Sequence, residues 1–139
     1  MKKLCLAIAM TAVASGCSNL PSFSTQLAQE QLYYVEWIGE RPLIDSSHLS
    51  ITLGKNMRAH GLAGCNNWFA EYKLTGKQLR LDKFATSRKL CAPALMEQEQ
   101  RYLEALSQVT HWDFSKQGQL QLWPENGAPI RLWPDAAPQ

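Results

Sequence analysis

Cysteine, histidine and glutamate are the residues of this chain whose types and spacing could carry out chemistry. Cysteines stand at positions 5, 17, 65 and 91. A thiolate at Cys65 with His60 as its base would be a nucleophile, because an adjacent imidazole can take the thiol proton. His60, however, sits in a segment with strand character, and no third group to orient it is apparent. A zinc site built from Cys65, Cys91 and a histidine lacks the paired spacing of structural zinc sites. The third reading joins Cys65 to Cys91 as a disulfide, which needs an oxidising compartment and α-carbons within about 7 Å. It closes a loop of about 27 residues, for which chain entropy gives roughly 3.5 kcal/mol. Glu97 and Glu99 are too close in sequence to share one side of a helix, so they are no carboxylate pair for hydrolysis. Nucleophile elbow, Walker loop and dinucleotide fingerprint are all missing. We therefore expect no enzyme activity, no cofactor and no metal.

The first residues bear on the cysteine count. Lys2 and Lys3 form a short positive start, and Leu4 to Val13 follow as an apolar run too short to span a bilayer as a helix. Ala14-Ser15-Gly16-Cys17 then resembles the bacterial lipobox. By that resemblance residues 1–16 are a signal peptide for the general export pathway, and Cys17 becomes an acylated N-terminus. The alternative is an ordinary signal cleaved at Gly16 that leaves Cys17 free. Three acyl chains, at about 0.8 kcal/mol per buried methylene, anchor a protein stably. Ser18 replaces the aspartate that usually retains such proteins on the inner membrane, so the expected address is the periplasmic face of the outer membrane. Cys5 leaves with the signal. If Cys17 carries lipid, Cys65 and Cys91 remain as an even pair in an oxidising space, and a disulfide is the natural reading.

The 139 residues allow one domain, and a hydrophobic fraction of 45% is enough for one core. Removing Lys2 and Lys3 from the 14 Lys and Arg leaves 12, equal to the 12 Asp and Glu. A neutral mature chain has no long-range field for nucleic acid. Residues 17–29 read as a lipidated tether, 30–134 as the domain and 135–139 as a tail. Within the domain, Leu32 to Ile38, His48 to Leu53, Met57 to Leu62, Phe69 to Leu74 and Gln78 to Leu81 read as strands. Gly54-Lys55-Asn56 and Thr75-Gly76-Lys77 supply turns. Leu49, Ile51 and Leu53 are expected on one face, with Ser50 and Thr52 on the other. His111 to Ser115, Gln119 to Trp123 and Pro129 to Trp133 complete the set, with Asn126-Gly127 as a hairpin signal.

One helix is expected from Pro93 to Leu106, with Pro93 suited to its first position. Leu95, Tyr102, Leu103 and Leu106 lie on one stripe, and Glu99 falls inside that stripe. A carboxylate there must find a partner, Arg88 or a backbone donor, or reach the rim of the interface. Trp112, Trp123 and Trp133 read as core or sheet-face residues, or alternatively as a ligand-stacking platform.

An ordered set of these residues resembles the META domain of HslJ-type proteins, the family also described as DUF306. The set is Gly64-Cys65-Asn66, an aromatic strand ending at Tyr72, Arg88 in a basic segment closing on Cys91, and a helix carrying Glu99, Tyr102-Leu103 and Ala105-Leu106. Trp37, Gly39 and Pro42 match the usual opening. A glycine usual near Ala70 is missing, and the threonine usual before the second motif is displaced or replaced by Ser87. The resemblance covers about Gln31 to Pro134. It implies a mainly β (α+β) fold, a small antiparallel lipocalin-like barrel or curved sheet with one helix packed across it. It also implies heat-shock and envelope-stress settings, including altered novobiocin tolerance, with no established enzyme activity.

We thus expect a monomeric, non-catalytic envelope lipoprotein that binds an envelope protein or a small ligand, with the membrane as partner through its anchor. The alternative is a periplasmic inhibitor like the membrane-bound lysozyme inhibitors, which are also small barrel lipoproteins with a disulfide.

Overall fold

The computed structural model describes residues 26–136; the expected signal peptide and the expected lipidation site Cys17 lie outside them. The described chain runs β1 (Leu32–Ile38), β2 (Arg41–Pro42), β3 (Ser50–Leu53), β4 (Arg58–Leu62), β5 (Asn67–Thr75) and β6 (Gln78–Thr86). It continues with α1 (Pro93–Ser107), β7 (Val109–Phe114), β8 (Leu120–Pro124) and β9 (Ile130–Pro134). Apart from β2, a two-residue return on the end of β1, each strand pairs antiparallel with the next, and β9 pairs back onto β1. Eight strands therefore close into a barrel without edges, which resolves the open choice between barrel and curved sheet.

Period-two alternation drives this closure. In β5, Trp68, Ala70 and Tyr72 are buried while Phe69, Glu71 and Lys73 face water. In β1, a bulge between Val35 and Trp37 keeps Tyr33, Val35 and Ile38 all inward. The β3–β4, β5–β6 and β7–β8 turns lie at one end of the barrel, where the chain also enters β1. The other end carries the β4–β5 corner and the β8–β9 turn, and α1 lies across it. Leu27, ahead of the expected domain start, is already in the core, and Gln29 donates to the Tyr72 hydroxyl.

One irregularity ties helix to barrel. β3 and β4 pair at Thr52↔His60 and Leu53↔Ala59, and pairing resumes at Leu49↔Ala63. Between them the Ser50 carbonyl accepts from Trp68 Nε1 at 3.1 Å and from the Tyr102 hydroxyl at 3.0 Å. The Leu62 N–H donates to Ser50 Oγ instead. Gly61 allows the close approach, since a Cβ there would stand 1.9 Å from the Ser50 oxygen.

The expected helix extends one residue further, to Ser107. β6 runs to Thr86 rather than Leu81, because a bulge between Phe69 and Glu71 lets it follow β5 to its start. Ser50 and Thr52 do not face open water as alternation suggested. Both are buried, Ser50 through its bond to Leu62 and both as the floor of an outer groove.

Gly61→Ala is expected to destabilise the fold by about 3 kcal/mol, the upper end for overpacking against a fixed atom, read as a lower urea midpoint. Burial holds the Tyr102 hydroxyl well above its ordinary value of 10.0. The folded state thus keeps a proton that the unfolded chain releases. Stability is full below pH 10 and falls above it. Tyr102→Phe should flatten part of that alkaline loss in melts taken across pH 9 to 11 (roughly the tyrosine range).

Candidate functional site

The residues singled out in the sequence meet at the β4–β5 corner, under the start of α1. Gly64 turns the chain there with φ +100°. Cys65 and Cys91 are bonded, with α-carbons 6.0 Å apart. The disulfide removes the free thiol on which the Cys65–His60 nucleophile and the zinc reading both depend. His60 itself is exposed on β4.

Asn66 forms the centre. Its backbone N–H donates to Glu99 Oε2 at 2.7 Å, and its side-chain Nδ2 donates to Glu99 Oε1 at 2.8 Å. The same Nδ2 donates to the Lys89 carbonyl at 3.2 Å. Its Oδ1 accepts from the Lys89 N–H at 2.7 Å and from the Ser87 hydroxyl at 2.9 Å. Its carbonyl accepts from the Ala63 N–H. The Ser87 oxygen also accepts from the Asn67 N–H. One side chain thereby fixes the β4–β5 corner, the segment from Ser87 to Lys89 and the helix.

Glu99 is 6% exposed and takes both its hydrogen bonds from Asn66. The partner is thus a backbone donor plus a carboxamide. Arg88, the other expected partner, is exposed and does not pair with Glu99, whose two bonds come from Asn66, while the neighbouring Lys89 supplies backbone groups to Asn66. Glu97 points away, 3.5 Å from Arg41 and 3.8 Å from Arg101. Charge and hydrogen-bond geometry here suit a structural clasp. The thiols of Cys65 and Cys91, the carboxamide of Asn66 and the carboxylate of Glu99 are all engaged.

Gln98 was not legible from the sequence as a site residue. It is fully buried, accepts from the Ile44 N–H at 2.8 Å and donates to the Ser47 hydroxyl at 2.9 Å, fastening the long β2–β3 connection to α1. Its place next to Glu99 on the apolar stripe was the one available signal.

The three tryptophans do not form one platform. Trp112 points inward, donates to the Gly76 carbonyl and lies under the Lys77 ammonium. Trp123 stacks on His111 and donates to Asp113. Trp133 donates to Glu36 on the outer face. A different surface collects exposed apolar residues: Tyr34, Leu62 and Phe69 wall an outer groove of about 430 Å³ over Ser50 and Thr52. Among the described residues no group of three His, Cys, Asp or Glu could hold a metal ion.

The META domain family model matches residues 25–137. Among solved structures, an NMR structure of a protein from Burkholderia xenovorans is similar at TM-score 0.67 and 20% identity, covering 78% of this chain and 84% of its own. A second NMR structure is similar at TM-score 0.59 and 25% identity, covering 75% of this chain and 88% of its own. No curated protein gave a significant match.

Glu99→Gln is expected to place an amide donor against a donor of Asn66. It should cost about 1–3 kcal/mol, the penalty for a buried group left without its partner. Reducing the disulfide should cost roughly 3.5 kcal/mol. Urea melts of the variant, and of the parent with and without reductant, check both values.

Proposed function

This chain belongs to the META domain family, and from that premise we propose that it is a non-catalytic envelope lipoprotein. It is anchored through Cys17 on the periplasmic face of the outer membrane and supports stress tolerance by binding a protein or small ligand. The observation that carries the non-catalytic reading is the state of the motif. Cys65 and Cys91 are spent in a disulfide, and Asn66 and Glu99 satisfy one another. A nucleophile or general base needs a lone pair free to reach a substrate, and here those lone pairs hold the fold.

The disulfide also supports an oxidising address, because such bonds persist outside the cytosol. The groove beside Tyr34 and Phe69 is the surface best suited to a ligand. It has aromatic walls with hydroxyls of Ser50 and Thr52 at its floor, the mixture of apolar lining and few polar groups typical of small-molecule sites.

Mass spectrometry of the mature N-terminal peptide tests the anchor, with an acylated Cys17 expected. Cys17→Ala should move the protein from the membrane fraction into the soluble periplasm. An unmodified Cys17 or cleavage elsewhere ends the lipoprotein reading. Capture of partners on the native lipoprotein from envelope extracts, with Phe69→Ala as control, tests the groove. Inhibition of lysozyme by the pure protein would instead favour the inhibitor class.

A further inference from the structure

One end of the barrel carries a set of lysines. At the end opposite α1, each of the three hairpin turns presents an exposed lysine: Lys55 between β3 and β4, Lys77 between β5 and β6, and Lys116 between β7 and β8. The neighbouring acidic residues include Glu30, Glu71, Asp82 and Asp135: Glu30 accepts the Lys55 N–H at 2.7 Å, Glu71 is paired with the Lys83 ammonium at 2.8 Å, and Asp82 lines a recess with Met57 and Lys73. Lys77 is held in place, its Nζ 3.8 Å from the centre of the Trp112 ring.

The β3–β4 turn adds a second observation. Asn56 and Met57 both have φ +58°, in the left-handed region that non-glycine residues seldom occupy. The turn is fixed by Gly54 N–H to Arg58 carbonyl at 2.8 Å and by Tyr72 N–H to Met57 carbonyl at 2.9 Å. It holds the Met57 side chain out in water at 58% exposure. An apolar tip beside ammonium groups is the pairing that suits a lipid interface, where the tip enters the headgroup layer and the cations meet phosphates.

The chain outside the described residues joins at this same end. Gln26 precedes Leu27, which is tucked into the core, and Gln29, which is bound to Tyr72 at the end of β5. From Cys17 to Gln26 is nine residues, a reach of about 30 Å at full extension. An anchor at Cys17 thus keeps this end within reach of the bilayer.

We propose that the lysine-bearing end of the barrel docks on the anionic phospholipid headgroups of the leaflet that holds the anchor, with Met57 as its apolar tip. This rests on the lipid anchor proposed for Cys17. It orients the molecule, turning α1 and the Cys65–Cys91 clasp away from the membrane and leaving the Tyr34–Phe69 groove on the side wall.

The test uses oxidised chain 17–139, in which Cys17 is the free thiol, coupled through Cys17 to a maleimide phospholipid in vesicles. This supplies an anchor whether or not the cell acylates Cys17. Its outcome is therefore separate from that of the lipoprotein reading, which the native N-terminal peptide decides. Amine acylation of Lys55, Lys77 and Lys116 is measured against Lys89 at the helix end. The three should react severalfold more slowly on vesicles containing phosphatidylglycerol than on phosphatidylcholine alone, and recover when added salt screens the surface. For the untethered Cys17→Ala chain, Lys55→Gln and Lys116→Gln should each weaken partitioning onto phosphatidylglycerol vesicles about fivefold. Neither of these two side chains carries a hydrogen bond or ring contact that folding needs. Equal reactivity on both vesicle types, protection shared equally by Lys89, or partitioning unchanged by the substitutions would overturn the proposal.

Discussion

Everything at the helix end of the barrel hangs on one buried carboxylate. Glu99 lies beneath α1, where an ionised group is costly unless its oxygens are bonded. Both are bonded, and both bonds come from Asn66. That requirement fixes the rotation of the helix about its axis and the distance of the β4–β5 corner from it. It also fixes the position of the segment from Ser87 to Lys89, because the remaining atoms of Asn66 are bonded there. The disulfide acts at the same place by a different means. It restricts the unfolded chain, whereas the Asn66–Glu99 pair selects one folded arrangement. Polar specificity and covalent restraint thus coincide where a short helix with no side-chain cap begins. An isolated helix of this length is marginal in water.

The Ser50 carbonyl extends the same logic into the core. A backbone acceptor taken off its strand ladder must be satisfied elsewhere, and Trp68 and Tyr102 do so from β5 and α1. The Trp68 and Tyr102 rings also meet edge to face at 6.2 Å, a geometry favourable to aromatic pairs. Gly61 is what makes room. The hydroxyl of Ser50 replaces the missing acceptor for Leu62. On the outside, the strands around this interruption carry the groove walled by Tyr34, Leu62 and Phe69. The same residue, Ser50, thus serves the inner hydrogen-bond network and lines the outer recess.

Division of labour between the ends follows from connectivity. Short hairpin turns occupy one end, free to carry lysines and an exposed methionine because they have little to bury. Long connections and the helix occupy the other, where polar side chains must be spent on one another. The formal net charge of +2 conceals this arrangement, since the sum carries no information about where along the barrel each charge falls.

Several features were legible in residue order alone. Alternation located all the principal strands, since a strand with one buried face imposes period two on its side chains. Pro93 marked the start of the helix, and the even cysteine pair marked a cross-link. The Gly64-Cys65-Asn66 and Glu99 pattern pointed to the META fold. Other features were decided only in three dimensions. Closure of β9 on β1 depends on twist summed over eight strands, which local periodicity does not record. The choice of Asn66 over Arg88 as the partner of Glu99 depends on which group stands under the helix once the β4–β5 corner has turned. The burial of Ser50 and Gln98 runs against their polarity, and it becomes favourable only because Leu62, Ile44 and Ser47 arrive from distant strands and loops with matching hydrogen-bonding groups. Sequence records what each residue prefers by itself, whereas a buried polar atom is decided by the partner that tertiary structure brings within 3 Å of it (roughly the hydrogen-bond distance).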